Sequence, residues 1–207
     1  MRYEINKLRS RLFAKAHNKQ LIWCPAQDSV TLNALREDPS LPFKKKDWLS
    51  RHDRQCGDLL GMVPLVVSQK LLLTDHIDRD EEYQMLKGTE VELHSLQLHP
   101  EDERASRGMS VYVLQHLPVC VYVKKAGALW TIGDCKEPGV YPLKPKVSAW
   151  FLDGNRAAPR LRIQRKQLPL TPAFYVTVHS TQGQEKLGKV YTLCDLLKRR
   201  CSKDSRL

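Results

Sequence analysis

Between Gly61 and Pro142 the chain keeps to one texture: short apolar runs broken by turn-forming residues. Val63 to Leu73 is a long apolar segment containing Pro64. Lys87-Gly88-Thr89 reads as a turn, and beyond it Val91 and Leu93 alternate with Glu90, Glu92 and His94, as in a half-buried strand. Val111 to Leu114 and Val119 to Val123 read as two more strands, separated by Leu117-Pro118. Trp130, Ile132 and a Gly133-Asp134 turn continue the pattern. Many short strands joined by turns leave few architectures open, chiefly a small antiparallel barrel or a sandwich. Acidic runs, Asp75 to Glu82 and Glu101-Asp102-Glu103, fall in the connections. They would repel a polyanion, which places any nucleic-acid face elsewhere.

The flanks differ. Residues 3–17 have helical spacing, with Ile5, Leu8, Leu12 and Ala16 on one stripe beside Phe13, and Lys7, Arg9, Arg11 and Lys15 opposite. Leu21-Ile22-Trp23-Cys24 is a short buried strand stopped by Pro25. Val30, Leu32 and Leu35 predict a short helix ending near Asp38-Pro39. Pro42 to Leu49 mixes lysines with Phe43 and Trp48 and reads as a surface linker, although such a mixture can also stack bases and neutralise phosphates. Trp150-Phe151-Leu152 is a strand with an Asp153-Gly154 turn after it. Arg156, Arg160, Arg162, Arg165 and Lys166 then follow with no acid among them. In an extended segment Arg160 and Arg162 share one face and Leu161 and Ile163 the other. Arg160, Arg162, Arg165 and Lys166 are therefore candidate phosphate contacts.

The charge balance supports that direction. The sequence has 207 residues and a formal net charge of +11, from 34 basic and 23 acidic side chains. Such an excess favours polyanionic partners. No 7–15-residue apolar core of a secretory signal follows the opening Met-Arg-Tyr-Glu, and no run approaches a membrane span of about 20 apolar residues. The six cysteines are scattered without a C-x-x-C pair, which predicts reduced thiols in an intracellular protein. His94 and His99 lack a second ligand pair at matching spacing, so no metal site is expected.

The stretch Leu168 to Glu185 concentrates the remaining chemistry. Pro169 and Pro172 stiffen the approach, and Ala173 to Val178 predicts a buried strand. Thr177, His179, Ser180, Thr181, Gln182, Gly183 and Gln184 then crowd polar groups past its end. Two readings stand at this point: a polar turn after a core strand, or a site delivered to the surface by a stiff element. No G-x-S-x-G elbow accompanies Ser180. Gly183 to Lys189 has the G-x-x-x-x-G-K spacing of a phosphate loop, but Val190 stands where a Mg²⁺-binding hydroxyl is required.

Phe174-Tyr175-Val176-Thr177-Val178-His179-Ser180-Thr181-Gln182-Gly183-Gln184 resembles the A-x-T-x-H-x-x-Q-G-x-T element, motif V, of superfamily 1 DNA helicases of the RecD-like branch that includes the Pif-type enzymes. Gly61-Met62-Val63-Pro64-Leu65, Leu73-Thr74-Asp75-His76-Ile77 and Leu86-Lys87-Gly88-Thr89 resemble another segment of that family. The resemblance implies an α/β fold: an incomplete RecA-like 2A core with an inserted small antiparallel, SH3-like β-barrel (2B). On that basis residues 1–58 are the first part of 2A, 59–145 the 2B-like insertion, 146–190 the return to 2A with motif V, and 191–207 a basic tail. Thr177, His179, Ser180, Gln182 and Gly183 carry over as DNA-contact and coupling residues. The implied partners are single-stranded DNA and an upstream helicase domain (1A), with no membrane, in the nucleus or mitochondrion if the source is eukaryotic. ATP and Mg²⁺ are cofactors of the family.

The departures are specific. Glu185 replaces the motif's last Thr, and His76 stands where the family often has Asn. No P-loop domain is present, and after Lys186 only Arg199 and Arg200 could supply the arginine of motif VI. The expectation is a C-terminal helicase fragment that binds DNA without turning over ATP alone. A non-enzymatic basic β-rich module that binds nucleic acid or protein is the alternative. A nucleotide-binding protein using Gly183 to Lys189 is a third reading.

Overall fold

The computed structural model describes residues 2–51, 53–133, 135, 137–152 and 161–174, and within them the chain is a mixed α/β fold with three sheets. In chain order come helix α1 (Arg2–Ala16), strands β1 (Leu21–Pro25) and β2 (Gln27–Val30), and short helices α2 (Leu32–Glu37) and α3 (Lys45–Trp48). Strands β3 (Met62–Leu65), β4 (Lys70–Leu73) and β5 (Glu90–Gln97) precede helix α4 (Pro100–Ser106). Strands β6 (Val111–Val113), β7 (Cys120–Lys124), β8 (Val140–Leu143), β9 (Lys146–Phe151), β10 (Arg162–Gln167) and β11 (Leu170–Pro172) complete the set. Among the described residues no helix is long and apolar enough to cross a membrane.

The central β-rich region is antiparallel, as its texture predicts, except at β6, which pairs in parallel with β1. The largest sheet runs β11-β4-β5-β7-β8, with every pair antiparallel. A second sheet, β3-β1-β6, has β1 in the middle, antiparallel to β3 and parallel to β6. The third, β2-β10-β9, is antiparallel. The apolar segment from Val63 to Leu73 is two strands, not one. Ser68 turns the chain between them at φ 69, so β3 and β4 enter different sheets. Trp130 and Ile132 do not continue the strand pattern. Trp130 packs edge-on against Tyr83 and Tyr141 at ring separations of 5.3 and 6.3 Å.

Two cores result. The larger joins Ile22 and Cys24 of β1, Val63 and Leu65 of β3, Leu71 and Leu73 of β4, and inward residues of β5, β7 and β8. Each such fully buried aliphatic side chain contributes about 1.5–3 kcal/mol. Strand β1 is buried on both faces, which its unbroken Leu-Ile-Trp-Cys run requires. Burial also pushes the Cys24 thiol far above its ordinary pKa, so it stays protonated.

The smaller core lies under the β2-β10-β9 sheet and unites Ala34, Leu41, Trp48, Cys56, Trp150 and Ile163. This corrects the linker reading of Pro42 to Leu49. That segment is helical, and Trp48 is buried edge-on against Trp150 at 5.8 Å. Of its two aromatic residues only Phe43, 89% exposed, stays at the surface. Val30 likewise belongs to β2 and not to the short helix, whose one buried residue is Ala34.

Helix α1 forms where its spacing places it and stops in a Schellman arrangement. Asn18 takes φ 48, its N–H donates to Lys15 O, and Lys19 N–H donates to Ala14 O. Its packing face is not the predicted one. Leu8 and Leu12 are 56% and 50% exposed, while Asn6, Ser10 and Ala14, spaced four apart, are buried. The reason is polar anchoring by small residues. Asn6 Nδ2 donates to Pro172 O at 3.1 Å, and Gln69 Nε2 donates to Ser10 Oγ at 3.1 Å. Serine and alanine let the helix approach the strands where leucines would not fit.

Candidate nucleic-acid interface

Strand β10 explains both the surface and the interior of the third sheet. Its sequence, Arg-Ile-Gln-Arg-Lys-Gln, alternates exposed and buried residue by residue. Arg162, Gln164 and Lys166 point outward; Ile163, Arg165 and Gln167 point inward. On the flanking strands Gln164 lies opposite Ser29 and Ala149, and Lys166 opposite Gln27 and Val147. The outward face therefore carries cations near both ends of one strand, with polar Gln27 and Ser29 on one side and apolar Val147 and Ala149 on the other. Among the described residues neither Arg162 nor Lys166 has an ion-pair partner. Such a face can hold phosphate oxygens by charge-assisted hydrogen bonds.

Arg165 is a correction to the predicted phosphate contacts. Its side chain is 0% exposed and that of Asp28 is 2%. The guanidinium grips Asp28 with two bonds of 2.8 Å, from Nε to Oδ1 and from Nη2 to Oδ2. It also donates to Leu59 O at 3.2 Å and to Trp48 O at 2.8 Å, and lies over the Trp150 ring. Four of its five N–H donors are spent inside the protein. The period of two already contains this signal, because Arg165 falls in phase with Ile163. Gln167 is spent in the same way: Nε2 donates to Cys24 O at 3.0 Å, and Oε1 accepts from Leu168 N at 2.8 Å. Together these bonds tie β10 to β1 and to the small core.

The acidic runs are less of a barrier than their sequence implies. Asp75 pairs with Lys146 at the start of β9. Asp102 is buried, while Glu101 and Glu103 remain at the surface. Arg160 lies outside the described residues, as do Thr177, His179, Ser180, Gln182 and Gly183 and the Gly183 to Lys189 spacing. Of the predicted strand from Ala173 to Val178, Ala173 and Phe174 are described, and they form a turn. The strand is the preceding β11, and Ala173 N–H donates to Lys70 O at 3.0 Å.

That pairing brings distant stretches together. β11 and β4 are antiparallel, with Leu170 opposite Leu73, Thr171 opposite Leu72 and Pro172 opposite Leu71. Thr74 N–H adds a bond to Pro169 O at 2.9 Å. The Gly61 to Thr89 segment and the approach to the polar cluster are thus hydrogen-bonded neighbours.

Sequence reasoning missed one further grouping of functional side chains. It treated His94 and His99 as the pair to weigh for metal binding, but His94 Nε2 lies 2.6 Å from Glu137 Oε2. His99 instead stacks on His116, with ring centroids 4.1 Å apart. The 17-residue separation carries no local signal; the folding of α4 against the loop after β6 creates the contact.

No protein-family model matches the sequence, and no curated protein matches it. Among solved structures the chain is similar to a crystal structure of Pif1 helicase from Candida albicans, at a TM-score of 0.49 and 16% identity. The similarity covers 89% of this chain and 36% of that one, so the chain spans about a third of the length of the structure it matches.

Proposed function

We propose that the chain is a helicase-derived piece that binds single-stranded DNA. It corresponds to the 2A/2B portion of a superfamily 1, RecD-like, Pif-type enzyme. On this reading the five-stranded antiparallel sheet is built around the 2B insertion, and α1 and β1 belong to an incomplete RecA-like core. Thr177, His179, Ser180, Gln182 and Gly183 contact DNA and, in the whole enzyme, couple that contact to ATP. This chain alone does not turn over ATP, and an upstream 1A domain is its partner for that step.

The observation that carries the reading is the β4-β11 pairing. Residues 170–172, which lead into the Phe174 to Gln184 likeness, pair with residues 71–73 inside the Gly61 to Thr89 segment, about a hundred positions earlier.

A second reading has its own observation. The Arg162, Gln164 and Lys166 face needs no helicase ancestry to bind a polyanion, which favours a non-enzymatic basic module. Fluorescence anisotropy with a labelled single strand separates the two. The His179→Ala/Gln182→Ala variant is expected to bind about tenfold more weakly, and the purified chain to release no phosphate from ATP. Unchanged DNA affinity in that variant would leave the module reading in its place. ATP turnover by the purified chain would refute the claim that it lacks hydrolysis.

A further inference from the structure

We infer that His99, Glu101 and His116 form a binding site for a late first-row divalent cation of the Zn²⁺ type. One donor atom from each lies within 4.8 Å of the others. The site is independent of the DNA reading and sits on different elements.

The ligands come from two points that the fold fixes to one another. His99 is the N-cap of α4, with Pro100 at the first helical position and Glu101 one residue on. His116 lies in the loop between β6 and β7. Asp102 locks the two together from behind, although it sits between the ligands in sequence. Its Oδ1 accepts from Tyr112 Oη and from Gln115 N–H, each at 2.9 Å. Its Oδ2 accepts from His116 N–H at 2.8 Å and lies 3.1 Å from His116 Nδ1. Three N–H or O–H donors converge on the Asp102 carboxyl, which makes it the acceptor and His116 Nδ1 the donor between them.

That assignment decides which atom is offered. With Nδ1 protonated, His116 Nε2 has the free lone pair, and it faces Glu101 Oε2 at 3.8 Å. A buried carboxylate behind a histidine, setting its tautomer and raising its basicity, is the usual outer support of a metal-binding imidazole. His99 Nδ1 also presents a lone pair, held only by a 3.4 Å hydrogen bond from Glu101 N–H. An ion displaces that long contact at little cost. Donor atoms around a tetrahedral Zn²⁺ stand roughly 3.3 Å apart, from bond lengths near 2.0–2.2 Å. The cluster therefore closes by at most about 1.5 Å, within reach of side-chain rotation at the exposed Glu101 and the half-exposed histidines.

Two imidazoles and one carboxylate select the class of ion. Mg²⁺ and Ca²⁺ require oxygen ligands, whereas Zn²⁺, Ni²⁺ and Cu²⁺ accept this set. The half-exposed rings leave a fourth position to water. The ion fastens the start of α4 to the β6-β7 loop, so its effect is on stability.

The experiment is a Zn²⁺ titration of the whole chain by calorimetry, with thermal melting and Co²⁺ absorption spectra alongside. The expected result is one Zn²⁺ per chain, a melting temperature that rises with Zn²⁺, and a Co²⁺ spectrum without a thiolate charge-transfer band. His99→Asn keeps a capping acceptor, and His116→Gln keeps a polar side chain of similar reach. Each is expected to weaken binding at least tenfold and to abolish the Zn²⁺-dependent shift while melting cooperatively without metal. Unchanged Zn²⁺ affinity in the double variant would overturn the assignment. So would a thiolate band, which places the ion on cysteine, or no heat of binding at micromolar Zn²⁺.

Discussion

Arg165 and Arg162 are three residues apart and have opposite fates. A buried ion pair is held by geometry rather than by net Coulomb gain, because both charges lose their hydration. Arg165 meets that demand with two bonds to Asp28 and two more to backbone carbonyls. Arg165→Ala leaves Asp28 charged and alone in the small core, and is expected to cost about 3–5 kcal/mol in urea unfolding. Asp28→Leu combined with Arg165→Met recovers only part of this, since Trp48 O and Leu59 O still lose their donors. Arg162→Ala is expected to stay within about 0.5 kcal/mol of the parent. Similar losses in the two single variants would show that the pair is not what holds β10 inward.

Elements were legible in the sequence to the extent that local pattern decided them. The alternation over Glu90 to Leu93 and the continuous apolar run of β1 are read directly as half-buried and fully buried strands. What local pattern cannot supply is the partner. β1 takes a parallel neighbour from residues 111–113, and β10 takes β2 from near the start of the chain. Helix α1 shows the same limit: its leucines form a regular stripe, yet Asn6, Ser10 and Ala14 face inward because Pro172 and Gln69 supply distant partners. Ser10→Leu is therefore expected to destabilise by about 1–3 kcal/mol through overpacking. Leu12→Lys is expected to change stability by less than about 0.5 kcal/mol. Denaturant midpoints of the two variants check this, and the reverse ranking would restore the leucine stripe as the packing face. At the candidate site the outward cations of β10 were legible and the inward one was not distinguished from them. The His99–His116 contact left no trace in spacing.

For the molecule as a whole, charge sets how binding responds to salt. A net charge of +11 draws a polyanion to many places, but only contacts that displace condensed counterions steepen the salt dependence. If Arg162 and Lys166 each neutralise one phosphate, replacing both with alanine lowers the slope of log K against log salt by about 1.4 for a single strand. Anisotropy titrations over a range of salt concentrations measure this. A weaker affinity with an unchanged slope would mean that the two side chains act on something other than phosphate.

The β2-β10 and β4-β11 pairings also bear on how the protein is made. Ser29 accompanies Gln164 across 135 positions of sequence, and β4 waits almost as long for β11. At roughly 5–20 residues per second, a ribosome needs on the order of ten seconds to supply the missing partners. During that interval β2 and β4 are unprotected edges in a growing chain, open to pairing with other nascent chains. The third sheet cannot begin to form until Arg162 to Gln167 have been synthesised. A messenger cut short just before that point would yield not a smaller version of this protein but a client for chaperones.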